Sequence, residues 1–382
     1  MNPMNVRKAF VYDKIINWFP GHMAKGLRLI TEKLNSVQVV IEVRDARISF
    51  FLPWLPYTLN SEHEMLHSTP SLFYGFVLLQ HIPLSSINHK FEPIAQRKDR
   101  LIVYNKTDLA HPDTEAAITK AFREFKGQDV VFTNADQDVN VKGIIKYLAK
   151  KAKVSGTASE KELTTTVMVV GMPNVGKSSL INSLRRIGVK KGKAAPTGAI
   201  PGITRTVAGT IKVLDSPKVY LIDTPGVMIP HIADPISAIK VALTGAISDH
   251  LSDEEVIADY LLFQLNQAQD YGYLKMYNIK EPTDDIKVFL PQVAKYIGAL
   301  KKGGEYNLPA AAQFLIKQYR LGKLGRFTLD DIRPESLEEF LTKETEDAVS
   351  RRQQKKADKI EDRKTKRQIQ QRKWEEREQA KL

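Results

Sequence analysis

Two kinds of apolar spacing divide this chain. Residues 37–43, 101–104, 130–132, 167–170 and 219–222 are near-continuous apolar runs, rich in β-branched side chains and of the length of strands buried in a parallel sheet. Residues 24–34, 114–125 and 141–153 instead space apolar positions three and four apart, which predicts helices lying on both faces of that sheet. Beyond Pro230 the strand signal stops. Asp234 and Pro235 predict an N-cap followed by proline at the first helical position, with Ile236, Ile239, Leu243 and Ile247 at helical spacing. Ser252 and Glu255 predict a capping box ahead of Val256, Ile257, Tyr260, Leu261 and Leu265. Asn307 and Pro309 open a further helix that Gly322 closes. The pattern predicts an α/β domain over residues 15–230, an all-helical C-terminal domain over 231–345 and a tail over 346–382. In the tail Ala357, Ile360, Ile369 and Trp374 are scattered among charges without a heptad, so it reads as a basic helix or a disordered segment.

Composition narrows the class. A chain of 382 residues is long enough for two cores, and a net charge of +13 points to a polyanionic partner, nucleic acid ahead of membrane. With no cysteine, a disulfide framework and a thiolate metal site are both excluded. No apolar run reaches membrane-spanning length. Residues 1–14 carry Arg7, Lys8 and Lys14 against Asp13, which fits a short matrix-targeting segment and equally an ordinary basic start.

The chemistry sits at strand ends. Residues 167–170 run into Gly171-Met-Pro-Asn174-Val175-Gly176-Lys177-Ser178-Ser179, which matches G-x-x-x-x-G-K-[ST] between a predicted strand and a predicted helix. Its two glycines let the backbone approach a polyphosphate, so that NH groups and the positive helix terminus face the oxygens. Lys177 would reach the β and γ phosphates and the Ser178 hydroxyl would coordinate Mg2+. The strand at 101–104 delivers Asn105-Lys106-Thr107-Asp108. An aspartate there accepts from guanine N1 and its exocyclic amine, which adenine cannot offer, while Asn105 braces adjoining loops and the Lys106 stem covers the base. Thr133-Asn134-Ala135 ends another strand and would support guanine through a backbone NH. The strand at 219–222 ends in Asp223-Thr-Pro-Gly226, where Asp223 would hold Mg2+ through water and the Gly226 NH would touch the γ phosphate. Pro201-Gly202-Ile203-Thr204 lies between these last motifs. Thr204 is the candidate switch ligand to Mg2+, with Thr206 almost as well placed.

The order is unusual. An ordinary GTPase begins with the P-loop, whereas here N-K-x-D and T-N-A precede it and D-T-P-G closes the set. The sequence predicts a circularly permuted P-loop GTPase domain with a mostly parallel sheet, a rearrangement that closely placed domain termini permit. The polar residues 154–163 would bridge the exchanged halves, and the Gly- and Pro-rich residues 190–203 would order on the γ phosphate. Permutation also puts the helical domain directly after D-T-P-G, so a moving switch could pull on it.

The motifs N-W-F-P-G-H-M at 17–23, R-D-A-R at 44–47, N-K-T-D, G-M-P-N-V-G-K-S, P-G-I-T and D-T-P-G-V, in this succession, resemble the YlqF/RbgA family, and in particular its mitochondrial, fungal-type branch. The resemblance covers most of residues 15–340. It implies a GTP-hydrolysing assembly factor for the mitochondrial large ribosomal subunit, bound to its rRNA while GTP is present. It further implies a matrix protein, peripheral on the inner membrane, acting as a monomer. Many GTPases follow D-x-x-G with a glutamine that orients the attacking water, but Val227 stands there. The family's proposed substitute is the histidine of F-P-G-H-M, here His22; a structural histidine on a Pro-Gly turn is the other reading. Asn174 resembles the asparagine that accompanies K+ activation, with a loop-bracing amide as the alternative. The family runs from D-A-R straight into I-P-L-S-S-x-N, yet here the second half reappears only at residues 82–88. Residues 48–81 therefore read as an aromatic insertion, either a translated intron or a lineage-specific loop.

Two rival classes stand beside this reading. A GTP-controlled RNA- or ribosome-binding module without catalysis is compatible with Val227. A signalling or membrane GTPase fits less well, because no lipidation motif is present and the tail is basic.

Overall fold

The computed structural model describes residues 6–12, 29–30, 32–34, 36–48, 99–154, 164–196, 209–226, 234–247, 253–339 and 341. His22, Thr204, Thr206, Val227, the tail 346–382 and all of the expected insertion except Ile48 lie outside them.

Each of the five apolar runs forms a strand of one six-stranded sheet, and residues 210–214 add the sixth. In chain order the strands are β1 (Val39–Asp45), β2 (Asp99–Asn105), β3 (Val130–Phe132), β4 (Thr165–Val170), β5 (Thr210–Leu214) and β6 (Val219–Asp223). Their spatial order is β3-β2-β1-β4-β6-β5, parallel throughout except for β5, which pairs antiparallel with β6. Strand side chains alternate between faces, and the helices cover both. Val39, Ile41, Val43, Val167, Val169 and Leu221 pack with Ile144 and Leu148 of α2 (Val141–Val154) and Leu180, Ile181 and Leu184 of α3 (Lys177–Val189). Ile102 and Tyr104 point the other way, onto Ile118 and Phe122 of α1 (Thr114–Lys126).

The topology turns at the middle of the sheet. The chain lays β1, β2 and β3 outward to one side, then returns to place β4 against β1 and proceeds to the other side. A crevice at the carboxyl ends of such a reversal is where open α/β sheets bind ligands. Cutting before β4 and joining the ends would give the succession β4, β5, β6, β1, β2, β3, with the P-loop strand first. This is the permutation that the motif order predicts.

After residue 234 the described chain is helical: α4 (Pro235–Leu243), α5 (Glu254–Gln267), α6 (Gly272–Tyr277), α7 (Ile286–Ile297) and α8 (Leu308–Arg320). Their core gathers Ile239, Leu243, Ile257, Leu261, Phe289 and Leu315, with α8 packed on α5 and α7. The caps are chemical. Asp234 accepts from the NH groups of Ile236 and Ser237, and Asn307 from that of Ala310. At α5 the structure corrects the expected Ser252–Glu255 box: Asp253 is the N-cap, accepting from Glu255 NH and Val256 NH. A carboxylate there also complements the helix dipole.

Both ends of the described chain cross between the two cores. Phe10 meets the edge of Tyr260 with ring centroids 5.1 Å apart, and Arg7 pairs with Asp259 and Asp284. Of the stretch read as a candidate targeting segment, residues 6–12 are described, and Arg7 and Phe10 among them meet the helical core. At the other end Ile332, Leu337 and Leu341 pack with Ile102, Ile118 and Phe122 on the sheet.

Candidate nucleotide-binding site

The loop from Gly171 to Gly176 joins β4 to α3, and its glycines are demanded by the neighbours. Gly171 has φ +151°, and a Cβ there would stand 2.3 Å from the Val43 carbonyl oxygen of β1. Gly176 has φ +93°, and its Cβ would meet Asn105 Nδ2 at 2.2 Å. The loop is pressed against β1 and against the N-K-T-D turn at once. Val175 is buried, while Ser178 and Ser179 occupy the first turn of α3.

Lys177 opens α3 with 7% of its surface exposed, its Nζ donating to Met172 O at 2.7 Å. Burial pushes its pKa down to about 8, and Lys106 adds to the effect although the Asp223 carboxylate opposes it. Ser178 Oγ donates to Asp223 Oδ2 at 2.9 Å. Asp223 Oδ1 is buried without a partner, and burial raises the carboxyl's pKa against the pull of Lys177 and Ser178. A hydroxyl beside a carboxylate with an orphaned oxygen suits a hard cation that takes oxygen ligands and completes its shell with water and phosphate, so the residues fit Mg2+. Thr224 ties the same segment to β4 by donating to Val169 O at 2.6 Å. Gly226 abuts the P-loop, since a Cβ there would lie 2.6 Å from Pro173 Cα.

The structure brings N-K-T-D into direct contact with the P-loop. Asn105 Nδ2 donates to Val175 O at 2.9 Å, and its Oδ1 accepts from Ala135 N at 3.0 Å and Thr133 Oγ1 at 3.2 Å. One amide therefore bolts three loops together. Lys106, in a left-handed conformation with φ +64°, donates to Asn174 O and to Asp45 Oδ2, the latter at 2.9 Å. Thr107 N donates to Thr133 O at 3.2 Å. Beside them is a cavity of about 210 Å³ lined among others by Asp108, Asn134 and Arg326. Asn174, with φ +58°, uses Nδ2 to donate to Gly245 O at 2.6 Å, which links the P-loop to the segment after α4.

Three residues of this neighbourhood had no role in the motif reading. Burial alone would raise Asp45, but Arg47 and Lys106 outweigh it and hold the carboxyl well below the usual carboxylate range. Arg47, 1% exposed, pairs with Asp45 at 2.9 Å and lies over Tyr319 of α8, 5.1 Å from the ring centroid. Both belong to R-D-A-R, whose position at a strand's carboxyl end was the available signal. Arg326 had none.

The family model described as 50S ribosome-binding GTPase matches residues 166–294, starting inside the P-loop strand. The mitochondrial ribosome-associated GTPase 1 of Xenopus tropicalis is 36% identical over 339 residues, 85% of this chain and 98% of that protein. That of Mus musculus is 37% identical over 333 residues, covering 84% and 92%. Mitochondrial GTPase 1 of Schizosaccharomyces pombe is 32% identical over 342 residues, covering 85% and 93%. Among solved structures, GNP-bound YlqF from T. maritima superposes with a TM-score of 0.51 at 23% identity, covering 81% of this chain and 99% of that one; the likeness is one of fold. Relatives more than 30% identical, aligned along more than four-fifths of a chain whose permuted motifs meet in one crevice, place it in the mitochondrial ribosome-associated GTPase 1 family.

Proposed function

We propose that this GTPase is an assembly factor for the mitochondrial large ribosomal subunit, working in the matrix, bound to the particle and its rRNA in the GTP form and released after hydrolysis. The observation that carries the nucleotide half is the meeting of motifs: Asn105 and Lys106 grip the P-loop carbonyls of Val175 and Asn174 while Ser178 touches Asp223. The ribosomal half rests on the names of the relatives and on the charge of +13.

In this reading Lys177 and the loop NH groups of Gly171, Asn174, Val175, Gly176, Ser178 and Ser179 hold the phosphates. Asp108 accepts from guanine, supported by Thr133, Asn134 and Ala135. Ser178, Asp223 and Thr204 hold Mg2+, which when bound neutralises charge developing on the γ phosphate. The Gly226 NH senses that phosphate. His22 orients the attacking water in place of the side chain that Val227 lacks. Asn174 takes part in a K+ site, detectable as faster turnover in K+ than in Na+. The chain acts as a monomer, with its basic surfaces on rRNA and a peripheral contact to the inner membrane.

The test is sedimentation with purified mitochondrial large subunits in GDP and in a non-hydrolysable GTP analogue. Co-sedimentation with the analogue, lost in GDP and in Lys177→Ala, is expected; binding indifferent to nucleotide overturns the switch. His22→Ala should keep GTP affinity and lose particle-stimulated phosphate release.

A further inference from the structure

We propose that Arg326, on the segment following α8, is a positioning residue for guanine recognition, clamping the two carbonyls that bracket Asp108. Its Nη2 donates to Thr107 O at 3.1 Å and its Nε to Ala110 O at 3.2 Å. Thr107 lies just before Asp108 and Ala110 two residues after it, so the planar guanidinium spans the short turn on which the aspartate is carried. The turn is also tied through its backbone, Leu109 N donating to Lys106 O at 3.0 Å and Thr107 N to Thr133 O at 3.2 Å. Without Arg326 the carbonyls of Thr107 and Ala110 lose their side-chain partner.

The rest of the segment presses on the same turn. Gly322 has φ +72°, and its Cβ would approach Leu109 Cδ2 to 2.5 Å, so backbone and side chain are already in close contact there. Thr328 Oγ1 accepts from His111 N at 3.2 Å and shares a hydrogen bond of 2.7 Å with the Thr114 hydroxyl. Leu329 N donates to Arg47 O at 2.8 Å. Arg326 also lines the cavity that Asp108 faces. The guanine-reading turn is therefore held by a segment that belongs, by sequence, to the helical part of the chain. A partner that displaces this segment would loosen the hold on the base. Arg326 is itself exposed, so replacing it leaves the core intact.

The inference rests on Asp108 reading the base, and the experiment separates the two. The readout is the ratio of affinities for GDP and inosine diphosphate, which differ only in the exocyclic amine that a correctly placed carboxylate accepts from. Arg326→Ala should weaken GDP about tenfold and inosine diphosphate about twofold, compressing the ratio, because a charge-assisted clamp of this size is worth roughly a decade in affinity. Arg326→Lys, able to reach one carbonyl, should restore part of the ratio. Equal losses for both nucleotides, or an unchanged ratio in the alanine variant, overturn the clamp. Asp108→Asn, which presents a donor where the carboxylate accepts, should shift preference to xanthosine diphosphate. If that shift occurs while the Arg326 variants keep their ratio, the clamp alone is wrong; if it does not occur, the reading of Asp108 has failed.

Discussion

Lys177 carries an ammonium into a place that water hardly reaches, and the consequence has opposite signs for folding and for binding. Its pKa falls from 10.5 to about 8 because burial disfavours the charged form. Between those values the unfolded chain holds more protons than the folded one, so the penalty for burying the charge is fully felt below pH 8 and is relieved as pH rises towards 10.5. Phosphate binding needs the charged form. As pH climbs past 8 the site must take up a proton to bind, and GDP affinity should fall, in the limit about tenfold per pH unit. Calorimetric titrations at pH 7 and 9 in buffers of different ionisation enthalpy would detect net proton uptake at the higher pH alone; equal affinity at both would show that Lys177 stays charged. At this scale the sequence was informative where a motif names a residue. Asn105, Lys106, Lys177, Ser178 and Asp223 meet in one crevice. R-D-A-R marked Asp45 and Arg47 without giving them a role, and Arg326 left no signal, since contacts made across the fold, Arg47 over Tyr319 or Arg326 to Thr107 and Ala110, leave no periodic trace along the chain.

Elements were legible according to how continuous or regular their apolar pattern is. The strands β1, β2, β3, β4 and β6 stood out as apolar runs. β5 did not: it has five residues, with Ile211 and Val213 buried between partly exposed neighbours, too short an alternation to register. α7 escaped because Pro291 sits within it, and α6 because six residues cannot establish a period. Helix ends offer a matched test of how the helical part reaches the nucleotide. Gly298, the C-cap of α7, and Gly322, beyond α8, both have left-handed backbones, φ +68° and +72°. A Cβ at Gly298 meets nothing within 4 Å, whereas one at Gly322 strikes Leu109, next to Asp108. Alanine at either should cost roughly 1–2 kcal/mol of stability from the left-handed backbone alone. Only Gly322→Ala should also weaken GDP binding. Chemical denaturation and nucleotide titration of the two variants check this, and matching GDP affinities would mean that the α8 contact does not reach the base.

For the whole molecule the permutation was visible because motif order survives any folding, while the crossing of the termini between cores was not, since it depends on packing between distant segments. The basic tail is the remaining whole-molecule feature. Residues 351–382 hold 13 Lys and Arg against six Asp and Glu, more than half of the net charge of +13. Leu341, ahead of that run, is buried against the sheet, so a chain ending at residue 345 should keep its described core. Each phosphate neutralised by the tail releases counterions and steepens the fall of log K with log salt by about 0.7–0.9. If the tail grips rRNA, the truncated chain should show a slope shallower by about 2 or more between roughly 50 and 200 mM salt, since only a few of its cations need engage. GTP turnover without ribosomes should be unchanged, because no tail residue belongs to the motifs. Parallel salt plots for the full and shortened chains would locate the rRNA contact on the folded surface instead, where the exposed lysines 142, 146, 150 and 153 of α2, spaced four, four and three apart, form the next basic stripe to test.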